Sequence, residues 1–141
     1  MKNSVMVASL ALLLVVGGAS AQQAARSISS GVFTAEQAKN GERAYQARCA
    51  SCHGTDLRST DPEAPDLTEG IFKFGWKGKT IGETFEQIRS TMPPGNARTL
   101  DDQTYVDILA YIFQFNGVPS GNRKLEPDLA ALQQIVIEPP N

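Results

Sequence analysis

Cys49-Ala50-Ser51-Cys52-His53 constrains this chain more than any other stretch. Two thiols three residues apart, followed at once by an imidazole, form the spacing that ties a c-type haem to a polypeptide. Each thiol can add to a porphyrin vinyl group, and the ring behind the second thioether is left facing the iron as the proximal ligand. Composition narrows the alternatives, because Cys49 and Cys52 are the only cysteines and His53 the only histidine among 141 residues. A structural zinc site needs four Cys or His donors and a catalytic one three, whereas two thiols and one ring are crowded here into five residues. A plain disulfide or a thioredoxin-like redox pair would use the same thiols. The redox pair belongs in a βαβ setting, and the segments flanking this motif read as helices and loops. The expectation is one haem c, bound through Cys49 and Cys52.

The front of the chain carries the pattern of an export signal. Lys2 gives a positive start, residues 5–16 are apolar, Gly17-Gly18 interrupts the run, and Ala19-Ser20-Ala21 offers a small-residue cleavage site. A membrane-spanning helix needs about 20 apolar residues, so residues 1–21 are expected to leave as a signal peptide rather than stay inserted. That places the mature protein in the periplasm. Losing Lys2 from 13 basic side chains against 15 acidic ones leaves the balance acidic, which argues against nucleic acid or an anionic membrane as partner. Residues 22–32 are small and polar and read as a flexible leader, and residues 33–141 as one domain. A domain of that size buries a modest core unless something large fills its centre.

Four helices are expected, with no competing strand pattern. Thr34-Ala35-Glu36-Gln37 reads as a capping box opening a helix that runs into Cys49, with Gly41 as its odd residue. Thr80-Ile81-Gly82-Glu83 opens a second, with Ile81, Phe85 and Ile88 on one face. A third begins near Thr99, holds Asp101 and Asp102 in its first turn, and stops at Asn116-Gly117. Its apolar face is Tyr105, Ile108, Leu109, Ile112 and Phe115. Pro127 starts a short fourth helix through Gln134, leaving residues 135–137 extended. Met92 is the one methionine outside the signal. It follows the second helix and precedes Pro93-Pro94, which favour an extended, stiff backbone and suit a sulfur held at a fixed distance from iron. Met92 is therefore the expected sixth ligand, and core filling is the alternative for such a residue.

From about Gly31 to Gly117 the chain resembles the class I c-type cytochromes, monohaem electron carriers with His and Met axial ligands, in the attachment motif Cys49 to His53, then Pro65-Asp66-Leu67, then Met92. The resemblance implies a small all-α cytochrome c fold wrapped around one covalently bound haem. It implies that the Pro65 carbonyl meets the His53 ring, that Leu67 packs on the haem, and that His53 and Met92 hold the iron. It also pairs Gly41 and Tyr45 with Ile108 and Tyr111 across two helices. Trp76 matches a tryptophan that the family places near a haem propionate, although core packing explains a lone Trp equally well. Lys73, Lys77, Lys79 and Arg98 read as solvated. Pro93-Pro94-Gly95-Asn96 and Gly121-Asn122 look like cytochromes that serve quinoprotein dehydrogenases. The implied function is one-electron transfer, without enzyme activity, between a dehydrogenase and a terminal oxidase or another cytochrome. A peroxidase would need an open iron and a distal acid-base group, and no second histidine exists to supply one.

Overall fold

The computed structural model describes residues 26–59 and 61–140, and the expected signal peptide lies outside them. Among the described residues five α-helices follow in order: α1 (Ala35–Arg48), α2 (Ala50–His53), α3 (Ile81–Thr91), α4 (Asp102–Phe115) and α5 (Leu129–Leu132). A two-residue parallel pair, β1 (Arg26–Ser27) with β2 (Ile135–Val136), is the named sheet among the described residues. The described residues thus form a small all-α fold, as expected. No helix among the described residues is long and apolar enough to cross a membrane.

α4 is the centre of the molecule. Asp101 caps it, its carboxylate accepting from the Thr104 backbone N–H at 2.9 Å and the Thr104 hydroxyl at 2.6 Å. Tyr105, Val106 and every residue from Ile108 to Phe113 are buried, so the helix is apolar nearly all round, as an enclosed helix must be. Asp101 is thus the cap rather than a first-turn residue, and Phe115, expected on the apolar face, is 46% exposed because the helix end leaves the core.

α1 crosses α4 at Gly41. A Cβ placed there would come within 1.8 Å of the Asp107 carbonyl oxygen, so only a glycine lets the two backbones approach this closely. One turn along α1, the Tyr45 and Tyr111 rings meet at 5.3 Å between centroids. Thr34 caps α1 by accepting from the Gln37 backbone N–H, but Gln37 does not complete the expected box. Its side-chain amide turns inward, donating to Asp107 at 2.9 Å and to the Leu125 carbonyl at 2.7 Å, and accepting from the Leu125 N–H at 2.9 Å. That pins the C-terminal segment to the α1–α4 pair. Thr80 and Glu83 do form the reciprocal box of α3.

Two boundaries differ from the sequence expectation. α5 is a single turn capped by Asp128, shorter than the span from Pro127 to Gln134. Residues 26–32 are not a flexible leader. Arg26 and Ser27 pair with Ile135 and Val136, and Ile28 is fully buried with Val32 close to it in accessibility. The folded unit therefore begins by Arg26 rather than at Phe33, and burial of two aliphatic side chains explains why a short polar-looking stretch is held.

Candidate functional site

The end of α1 sets the site. Cys49 N–H donates to Tyr45 O at 2.8 Å, and the chain rewinds into α2 through Cys52 N–H and His53 N–H, both donating to the Cys49 carbonyl at 3.1 and 3.0 Å. Gly54, at φ +78°, then turns the chain away, and a Cβ there would meet the Arg58 carbonyl oxygen at 2.3 Å. Two turns of helix joined at Cys49 thus bring both thiols and the imidazole to the wall of one cavity. The Tyr45 hydroxyl donates to the Gly54 carbonyl at 2.8 Å and braces this corner. Cys52 is exposed and Cys49 partly buried, and no disulfide joins them. Burial, and secondarily the neighbouring Cys52, pushes the Cys49 thiol up to about 11.

His53 is buried, and its Nδ1 lies 3.0 Å from the Pro65 carbonyl oxygen. A carbonyl can only accept, so Nδ1 carries a proton, and in the neutral ring that leaves the lone pair on Nε2. The strap that brings Pro65 here is itself held. Leu67 N–H donates to Leu57 O at 2.9 Å, and Asn116, at the end of α4, donates from Nδ2 to the Leu67 carbonyl at 3.1 Å. Asp66 accepts from the Thr68 hydroxyl and from its N–H, and the hydroxyl bond is the main reason its carboxyl stays below the usual aspartate range.

Met92 follows α3 in an extended conformation, with ψ 146°, as expected for a residue before proline. Its N–H donates to Ile88 O at 2.8 Å, and its carbonyl accepts from the Tyr105 hydroxyl at 2.8 Å.

Cys49, Cys52, His53, Pro65, Leu67, Trp76 and Met92, the seven residues expected from sequence, all line a single cavity of about 370 Å³. Its remaining walls are largely apolar, with Ile71, Ile88, Ile108 and Ile112 among them. Two thiols, one imidazole with a free Nε2 and one thioether on an apolar wall are the donor set of a haem c, so the residues present fit that group. Among the described residues no group of three or more His, Cys, Asp or Glu side chains could hold a bare metal ion. Sequence reasoning missed the supports. Tyr105 read as core and Asn116 as a helix stop, because nothing local signals a hydrogen bond to a loop 13 or 49 residues away.

A family model described as cytochrome c oxidase, cbb3-type, subunit III matches residues 36–112, more than half of the chain. The chain belongs to this family, which makes it a class I c-type cytochrome with covalently bound haem c. Among curated proteins, the cbb3-type cytochrome c oxidase subunit CcoP of Cereibacter sphaeroides is 35% identical over 83 residues, covering 57% of this chain and 27% of that protein. CcoP of Azospirillum brasilense is 27% identical over 88 residues, covering 59% and 30%. FixP of Bradyrhizobium diazoefficiens, a subunit of the same kind of oxidase, is 28% identical over 81 residues, covering 57% and 28%. The chain therefore spans less than a third of the length of these relatives. Among solved structures, the sulfane dehydrogenase SoxCD of Paracoccus pantotrophus aligns with a TM-score of 0.48 at 23% identity, over 78% of this chain and 63% of that one.

Proposed function

We propose that this chain is a periplasmic monohaem cytochrome that carries single electrons between a dehydrogenase and a terminal oxidase or another cytochrome. The observation that carries the reading is the convergence of Cys49, Cys52, His53 and Met92 on one apolar cavity. Bound there, a haem would supply a one-electron ferrous/ferric couple. Cys49 and Cys52 would hold it by thioethers, while His53 Nε2 and the Met92 sulfur would ligate its iron. The Pro65 carbonyl fixes the His53 ring and raises its donor strength. Met92 and the apolar walls favour the reduced state and so a higher potential. Leu67 would pack on the macrocycle. Trp76, buried on the cavity wall with no side-chain hydrogen bond to another described residue, would offer its N–H to a propionate. With the iron held by both His53 and Met92 there would be no open position for peroxide, which favours a carrier over an enzyme. The relatives named as oxidase subunits support an oxidase as the accepting side. The signal-like residues 1–21 support the periplasm.

The test is on protein matured in a competent host. Acid-acetone extraction should leave the colour on the polypeptide, the pyridine haemochrome should count one haem per chain, and the oxidised protein should show the near-infrared sulfur-to-iron charge-transfer band. Met92→Ala should abolish the band, lower the potential and open the iron to cyanide. A wild-type protein that is high-spin, binds cyanide rapidly at neutral pH and turns over peroxide overturns the carrier reading.

A further inference from the structure

Tyr105 lies in the first turns of α4, is 1% exposed, and spends its hydroxyl on the Met92 carbonyl. Phenylalanine would fill the same volume, so the hydroxyl answers to something other than packing. Its target is a residue followed by two that cannot donate a backbone hydrogen bond. Pro93 and Pro94 follow Met92 and have no N–H to donate, and the next bond within the loop is Asn96 N–H to Pro93 O at 2.9 Å. Met92 is therefore gripped from two helices, its N–H by Ile88 of α3 and its carbonyl by Tyr105 of α4. Those helices are tied to each other at the same end. Arg89 Nε reaches Asp102 at 3.0 Å, and Arg98 N–H donates to Arg89 O at 3.1 Å.

We propose that Tyr105 is a positioning residue, whose hydroxyl holds the Met92 backbone against α4 so that the thioether stays at the cavity. The proposal rests on Met92 being the sixth ligand, as argued above. Release of Met92 from a bound iron would require the loop to swing away, and Tyr105 opposes that movement at the residue concerned. A hydrogen bond of this kind shifts such an opening equilibrium by about two- to tenfold.

The experiment compares oxidised holoprotein of wild type, Tyr105→Phe and Thr84→Val. Thr84→Val removes another buried hydroxyl bond, Thr84 Oγ1 to Thr80 O at 3.2 Å, from a residue of α3 that does not line the cavity. Imidazole is titrated in while the near-infrared band is followed, and denaturant midpoints are measured in parallel. Tyr105→Phe should keep its haem and, without competitor, its band, yet lose the band at two- to tenfold lower imidazole. Thr84→Val should unfold earlier in denaturant with the wild-type imidazole midpoint. An unshifted midpoint in Tyr105→Phe, or an equal shift in Thr84→Val, overturns the positioning role. Failure of Tyr105→Phe to accumulate as folded holoprotein overturns it too, since the hydroxyl would then serve the fold as a whole. A wild-type protein without the band takes down the ligation reading itself, a result distinct from the others.

Discussion

His53 Nδ1 and the Pro65 carbonyl oxygen stand 3.0 Å apart, twelve residues distant in sequence, so a bond at the candidate iron ligand depends on the path of a surface strap. Proline fixes φ near −65° and needs no donor partner, which makes it a stiff carrier for that carbonyl. Pro65→Ala keeps the carbonyl but frees the backbone. The bond should weaken, the imidazole should donate less to ferric iron, and the reduction potential should rise. Only the difference in that bond between the two oxidation states counts, so a bond of about 0.5–1.5 kcal/mol caps the rise at roughly 60 mV for one electron. A redox titration that finds the potential unchanged or lowered sinks this account of the strap.

Gly41 should tolerate almost nothing. A methyl group there would meet the oxygen and carbon of the Asp107 carbonyl at 1.8 and 2.3 Å, and both belong to the α4 backbone, which no rotamer change can move. Gly41→Ala must push α1 from α4 and part the Tyr45–Tyr111 contact, for a loss of about 3 kcal/mol or more. Gly70→Ala is the matched control, because the nearest atom is the Asp66 Cβ at 4.0 Å. It should change stability by less than about 1 kcal/mol, in either direction. Equal denaturant midpoints for the two variants would rule out the close crossing.

Acid stability should depend on the cap of α4. The Thr104 hydroxyl, then the Thr104 N–H, hold the Asp101 carboxyl below the ordinary aspartate value of 3.8. A carboxyl depressed in the folded state stabilises it fully above the unfolded pKa, and that contribution fades as pH falls from there through the folded value. Stability should be level from neutral pH to about 5 as far as this group is concerned, then decline. Asparagine caps about as well as aspartate without titrating. Asp101→Asn should therefore match wild type at pH 7 and flatten the decline below pH 4. An acid limb of unaltered slope in equilibrium unfolding would exclude the cap as its source.

The features legible in the sequence are those whose chemistry is local or whose oddity is conspicuous. Cys49, Cys52 and His53 sit within five residues, Thr80 and Glu83 close a box within four, and Gly41 stands out as a glycine inside a helix. Gln37 misled because its spacing from Thr34 fits a capping box, whereas the buried Leu125 backbone offers it two bonds. Tyr105 and Asn116 have helical-face periodicity like any core or stop residue, and their partners Met92 and Leu67 come near only once α3, the strap and α4 are packed. Residues 26–32 lacked any periodic signal, since a two-residue strand is too short to show alternation and its partner lies beyond residue 134.

Ile28 and Phe115 let the same contrast be measured. The periodicity of α4 puts Phe115 on the apolar face and the composition around Ile28 makes it a leader residue, so the sequence ranks Phe115 as the costlier truncation. The structure reverses the order: Ile28 is fully buried, while Phe115 is 46% exposed and keeps an edge-on contact with Tyr111 at 6.0 Å. Ile28→Ala should lose about 2–5 kcal/mol, because the methyl and ethyl groups it removes leave a cavity that the strand pair holds open. Phe115→Ala should lose about 0.5–1.5 kcal/mol, the worth of one aromatic pair with little burial behind it. Denaturant unfolding of the two holoproteins decides the matter. If Phe115→Ala proves the more destabilised of the two, the N-terminal segment is a loose leader after all, and its pairing with Ile135 and Val136 contributes nothing to the fold.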